Sequence, residues 1–260
     1  MVWTRAALAE HCRVMGLVEG DSVLVHAGLR AVGPILGGPD TLISALGDVV
    51  GPGGTLLGYC DWQGEEGVLE QPELRDAVPP FDPLRSRSIR DNGAFPELLR
   101  TTPGARRSAS PGASCAALGG RAEWFVADHA LDYGYGPQSP FGKLVAAGGK
   151  TLLLGAPLDT MTLLHHAEHL ADIPGKRVHR YEAPILLDGQ VVWRWFEEFN
   201  TGIPIVAGLA DDYFEDVVED FLSTGQGRRG LIGHAPSVLV EARAMVAFAV
   251  EWLERRFGKS

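Results

Sequence analysis

Apolar positions along this chain fall into short runs bounded by Gly or Pro, separated by stretches with helical spacing. The runs "DSVLVHAGL", "LLGYCDW" and "KTLLLGAP" read as buried strands. Thr4 can cap a first helix running to about Met15, with Gly16 as its stop. Pro39 and Asp40 suit the first turn of a second helix over "DTLISALGDVVG". Further helices are predicted over "GAFPELLRTT", after a Ser139–Pro140 start, over "DDYFEDVVEDFL", and over the closing "EARAMVAFAVEWLERRFG". The stretch "RRSASPGASCAALGG" reads as a turn and a short strand. Two long antiparallel strands meet at an Asp-Gly turn in "KRVHRYEAPILLDGQVVWRWFEEFN". Strand, loop, helix, strand is the order of an α/β unit with parallel pairing. Residues 63–90, rich in Pro and charge with no clean period, predict an ordered excursion or lid. No repeat or linker divides the chain, so one domain over 1–260 is expected.

Composition narrows the partners. A formal charge of −10 disfavours nucleic acid, whose phosphates need cationic neutralisation, and suits a cationic small ligand. Cys12, Cys60 and Cys115 are odd in number and far apart, as in a cytosolic protein with reduced thiols. The charged, amphipathic N-terminus is unlike a signal peptide, and no apolar run approaches the roughly 20 residues that span a bilayer. A cytoplasmic protein without a membrane partner is the expectation.

The densest chemistry lies in "TMTLLHHAEHLAD", with three histidines and a glutamate in five consecutive positions. On a helix, Thr162, His165 and Glu168 share a face just beyond a strand end, where α/β sheets place ligands. The same stretch fits H-x-x-E-H, a zinc-ligand pattern, through His165, Glu168 and His169. For His166 and His169 a partly solvated helix face is the preferred reading. Other patterns fail on inspection. "GGKT" has Leu144 where a phosphate loop needs its first glycine, "HAGLRAVG" lacks the dinucleotide fingerprint, and no G-x-S-x-G elbow occurs.

Several blocks, taken in order, resemble the aminoglycoside 3-N-acetyltransferases. They are "VHAGLRAVGPILGGPDTLISALGDVVGPGGTLLGY", "PFDP", "PGARRSASPGAS", "SPFGKLVAAGGKTLLLGAPLDTMTLLHHAEHLADIPGKR" and "EEFNTG", and the likeness runs roughly from Thr4 to Gly258. The resemblance implies a mixed α/β sandwich distinct from the general N-acetyltransferase fold, whose [QR]-x-x-G-x-[GA] signature has only a near-miss here in "RAVGPI". It also implies acetyl transfer from acetyl-CoA to the 3-amino group of a 2-deoxystreptamine antibiotic, conferring resistance, without metal.

The family's T-x-x-H-x-x-E pattern falls on Thr162, His165 and Glu168, making His165 the implied catalytic histidine. A distant acidic partner aligns loosely with "LADDYFED", Asp211 ahead of Asp212. The loop His26, Ala27, Gly28, Leu29, Arg30, Ala31, Val32, Gly33 resembles the acetyl-CoA loop, and Arg106, Arg107 and Ser108 are phosphate candidates. For a polycationic drug, Asp61, Trp62, Glu65 and Glu66 at a strand end, Gln138, and Glu198 of "EEFNTG" are substrate candidates, with Asp212 and Asn200 beside them. Two positions depart from the pattern. Asn200 stands where relatives commonly carry an acid, which weakens one cation contact, and Ser110 replaces a histidine. The alternatives are a non-antibiotic amine substrate, a zinc hydrolase with Glu215 or Glu219 as third ligand, and a binding protein that sequesters a polyamine-like ligand. A monomer or homodimer is expected.

Overall fold

In a computed structural model, which describes residues 1–62 and 72–258, the elements arise where the apolar pattern places them. Helix α1 (Arg5–Met15) is capped by the Thr4 hydroxyl, which accepts from the Ala7 N–H, and ends at Gly16 with φ +105°. Strand β1 (Ser22–Ala27) leads to α2 (Pro39–Val50), then β2 (Thr55–Tyr59) and α3 (Phe95–Thr101). The stretch expected to hold one short strand holds two, β3 (Arg106–Arg107) and β4 (Cys115–Gly119). Next come α4 (Ala122–Val126), α5 (Pro140–Ala146), β5 (Lys150–Leu154) and α6 (Leu163–Leu170). Ser139 caps α5 by accepting from the Gly142 N–H.

The hairpin β6 (Val178–Leu187) and β7 (Gln190–Phe199) turns at Asp188–Gly189, both with positive φ, as a tight two-residue turn requires. The chain closes with α7 (Tyr213–Ser223), β8 (Arg228–Ile232), β9 (Ala235–Glu241) and α8 (Ala242–Phe257). The pair β8–β9 is an addition to the elements expected from the sequence.

One seven-stranded sheet runs β3-β4-β2-β1-β5-β9-β8. Only β1 pairs in parallel, with β2 and β5; the outer pairings are antiparallel, so the sheet is mixed. Both faces are covered. Leu24, Leu57 and Leu153 pack toward α5, α6, α7 and α8, whereas Val23, Val25, Leu152 and Leu154 pack toward α1, α2 and α3. Two-sided burial explains why the central strands read as unbroken apolar runs instead of alternating ones. Each of these side chains contributes about 1.5–3 kcal/mol by leaving water. The hairpin stands apart from the sheet over a small core of Phe81, Ala183, Ile185 and Phe196.

In the described part of the expected excursion, Phe81 bridges to Ile185 of β6. Trp62 bridges to Ser88 within it. Among the described residues, no helix is long and apolar enough to cross a membrane.

Candidate functional site

One cleft opens at the start of α6 and a second beside the hairpin. The first, about 350 Å³, lies at the C-terminal ends of the parallel strands and is lined by His26, Ala27, Gly28, Tyr59, Thr162 and His165. Asp91–Gly93, Pro96, Phe214 and, from the loop after β5, Ala156, Pro157, Asp159 and Thr160 also line it. Its floor exists because two loops touch. A Cβ on Gly28 would sit 2.2 Å from the Gly155 carbonyl oxygen, so only glycine allows the β1 and β5 loops to meet. His26 Nε2, in this wall, is buried with no hydrogen-bond partner among the described residues, and burial pushes the ring's pKa down to about 4.

The second cleft, about 470 Å³, lies between the excursion and the hairpin. Asp61, Trp62, Glu182, Glu198, His179, Tyr181 and Trp193 line it, together with Asn200 and its loop. Its walls supply carboxylates and aromatic faces, the two surfaces that hold ammonium groups. Glu198 is largely buried, and its oxygens accept from the Phe199 and Gly134 N–H groups. Burial raises its pKa to about 7 against the opposing pull of those two donors and of His165. Tyr59, in the wall of the first cleft, and Tyr135, whose ring lies against His165, both donate to the carbonyl of Gly112, which lines the second cleft, so the two clefts adjoin beside His165.

His165 stands at this junction. Its Nδ1 lies 2.5 Å from Glu168 Oε2, and the other carboxylate oxygen of Glu168 accepts from the Tyr213 hydroxyl. Ionised Glu168 is acceptor-only, so the network assigns the Nδ1 proton to His165 and leaves Nε2 as the ring's acceptor. Tyr135 and Phe214 flank the ring with centroids 5.0 and 4.9 Å away, and the Tyr135 hydroxyl meets that of Tyr59 at 2.7 Å. The helical spacing i, i+3 brings base and carboxylate onto one face, and α7 supplies the tyrosine that holds the carboxylate.

Several expected residues lie elsewhere. Asp211 and Asp212 are exposed ahead of α7 and line neither cleft, so the carboxylate on His165 is Glu168, one turn along the same helix. Arg107 is buried, donating to the Cys60 and Ser86 carbonyls and to Ser114 Oγ, and it does not line the first cleft. Ser108 is buried between His129 Nδ1 and the Cys115 N–H. Arg106 pairs with Glu123 at the β3 edge, three strands from β1. Val32 is fully buried in the core, and Leu29 and Ala31 pack against it, while Arg30 is exposed and its carbonyl accepts from the Gly33 N–H that ends the turn. Gln138 is exposed and lines neither cleft.

Glu65 and Glu66 lie outside the described residues. Asn200 accepts from the Gly202 and Ile203 N–H groups through Oδ1, a loop-closing role that an aspartate would also fill, so the departure removes charge and keeps the turn. Ser110 is buried against Gly134, and nothing further explains its substitution.

The zinc reading finds no support in the donors. His166 Nδ1 meets the Tyr135 carbonyl, Glu168 is engaged by His165 and Tyr213, and His169 packs its ring on Tyr133 and Phe199. Among the described residues no three His, Cys, Asp or Glu side chains converge as metal ligands.

Sequence reasoning missed Tyr213, Glu182, His179, Tyr181 and Trp193. The last four sit on the hairpin, where a strand pattern identifies a face but not the cleft it borders. A tyrosine at the first position of an acidic helix gives no local sign of a partner 45 residues earlier.

A profile described as "Aminoglycoside 3-N-acetyltransferase" matches residues 24–254. Aminoglycoside N(3)-acetyltransferase III of Pseudomonas aeruginosa is 46% identical over 264 residues, covering 99% of this chain and 96% of its own. A solved structure described as AAC-IIIb in a binary complex with CoASH superposes with a TM-score of 0.98 at 60% identity, covering 100% of this chain and 99% of that one. Another, AAC-VIa bound to sisomicin, gives 0.93 at 37% identity, covering all of both chains. With its mixed sheet, its two adjoining clefts and these full-length likenesses, the chain belongs to the aminoglycoside 3-N-acetyltransferase family.

Proposed function

We propose that this protein transfers the acetyl group of acetyl-CoA to the 3-amino group of 2-deoxystreptamine aminoglycosides, with His165 as general base. The observation that carries the assignment of roles is the position of His165, oriented by Glu168, where the two clefts adjoin. The first cleft takes the acyl donor. Its orphaned His26 nitrogen suits a ligand that brings its own hydrogen-bonding groups, as pantetheine amides do. The carboxylate-lined second cleft takes the polycationic drug.

The aminoglycoside amine is mostly protonated at neutral pH; it first loses that proton to water and then attacks as the free base. His165 Nε2 accepts the amine proton as the nitrogen attacks the thioester carbonyl. The C–N bond forms, the C–S bond breaks, and the proton passes to the departing sulfur, so the histidine ends neutral. Glu168 steadies the imidazolium in between, and Tyr213 fixes Glu168. The buried free thiols Cys12, Cys60 and Cys115 and the use of acetyl-CoA support a cytoplasmic enzyme whose products are modified, inactive antibiotics.

The test is release of CoA thiol in the presence of kanamycin- or gentamicin-type drugs. No release with any deoxystreptamine aminoglycoside overturns the proposal.

A separate expectation concerns Glu198. In the free enzyme its pKa of about 7 means the carboxylate is charged above that pH and neutral below it. Drug affinity should therefore fall as pH drops through 7, because a neutral Glu198 no longer attracts an ammonium group. In Glu198→Gln the drug KM should rise by an amount equivalent to about 1.5–3 kcal/mol, exceed any change in acetyl-CoA KM, and lose this pH dependence. Steady-state KM values between pH 6 and 8 check it. A raised KM for acetyl-CoA with an unchanged one for drug would move Glu198 to the other cleft.

A further inference from the structure

Two residues in the wall of the drug cleft already hold a cation belonging to the protein. Arg75, on the 3-10 turn Pro72–Ala77, sends Nη2 to within 2.8 Å of Glu182 Oε1. The same guanidinium lies 4.2 Å from the centre of the Trp193 ring. Glu182 and Trp193 both line the cleft that also holds Asp61 and Glu198. In the hairpin register Glu182 stands opposite Trp195 and Pro184 opposite Trp193, so Glu182 and Trp193 are diagonal neighbours on one face. A mostly shielded carboxylate beside an indole face binds a cation through charge and through the ring quadrupole together. An ammonium group of the substrate would make the same two contacts.

We propose that Glu182 and Trp193 form an ammonium subsite of the drug cleft, and that Arg75 is an internal competitor displaced when a substrate amine binds there. The inference rests on the reading of this cleft as the aminoglycoside site. Displacement is easy on geometric grounds: the Arg75 side chain is 43% exposed, whereas Glu182 is 18% exposed, so the arginine can swing into water while the carboxylate stays in the wall. A partly exposed ion pair holds weakly, so the competition should weaken drug binding by roughly two- to tenfold. The consequence is selectivity. A substrate amine placed to reach Glu182 gains less than the bare contact would give, and drugs lacking that amine are less disadvantaged.

The test is a pair of variants assayed with gentamicin and acetyl-CoA. Arg75→Ala should lower the drug KM by roughly two- to tenfold and leave the acetyl-CoA KM alone. Arg75→Met, which keeps an apolar stem over Trp193, should do the same, separating loss of charge from loss of packing. Combined with Glu182→Gln, the Arg75→Ala gain should vanish, because the contested carboxylate is gone. A drug KM that is unchanged or raised in both Arg75 variants overturns the inference, as does a gain that persists in the Glu182→Gln background. Wild-type turnover in the same experiment tells this failure from failure of the broader reading, which predicts thiol release whatever Arg75 does.

Discussion

Replacing His165 by alanine is expected to lower kcat about 10²–10⁴-fold, the usual range for losing a general base, with little change in acetyl-CoA KM. The size follows from the chemistry. Without an acceptor at Nε2, the proton that the attacking nitrogen must shed can leave only through water. His169→Ala should do far less, because that ring packs on Tyr133 and Phe199 and has no contact with Glu168 among the described hydrogen bonds. Chelators should leave the rate intact. Steady-state thiol release on the two variants checks this, and comparable damage from His169→Ala would contradict it.

Glu168→Gln should be nearly as harmful, about 10²–10⁴-fold in kcat. Glu168 accepts from His165 Nδ1 on one oxygen and from Tyr213 on the other, and it is buried. Glutamine has one acceptor where two are needed. If its amide nitrogen turns to His165, it donates to Nδ1, which puts the ring proton on Nε2 and removes the base. If the oxygen faces His165, the tautomer survives but the imidazolium loses its countercharge. Rapid-quench or steady-state kcat, together with circular dichroism to confirm folding, decides the point. A change smaller than threefold in a folded variant would mean that Glu168 is structural only.

Much of the architecture was legible because local chemistry and global packing agree. Thr4, Ser139, Pro39, Gly16 and the Asp188–Gly189 turn mark element ends through hydrogen bonds or φ values that few other residues provide. The β8–β9 pair was harder to see, because "GRRGLIGHAPSVLVE" mixes glycine, charge and proline, and its strands sit at the antiparallel edge beyond β5. At the site, His165 with Glu168 could be read because both lie on one helix turn. Asp211 is placed differently from expectation for the opposite reason: proximity between α6 and α7 is set by packing, and α7 presents Tyr213 to Glu168 while Asp211 is exposed. Arg107 looked like a phosphate ligand by residue type, yet its position in an edge strand turns it inward onto carbonyls. Residue type names a chemistry; only tertiary contacts name its partner.

The position of the new acetyl group distinguishes 3-N-acetylation from every other outcome. The protein is incubated with acetyl-CoA and either a 2-deoxystreptamine aminoglycoside or an analogue lacking the 3-amino group, and products are read by mass spectrometry and NMR. The account predicts one added acetyl on the 3-nitrogen of the intact drug, one thiol released per acetyl, and no product from the analogue. Acetylation at another amine, or equal turnover of the analogue, would contradict it.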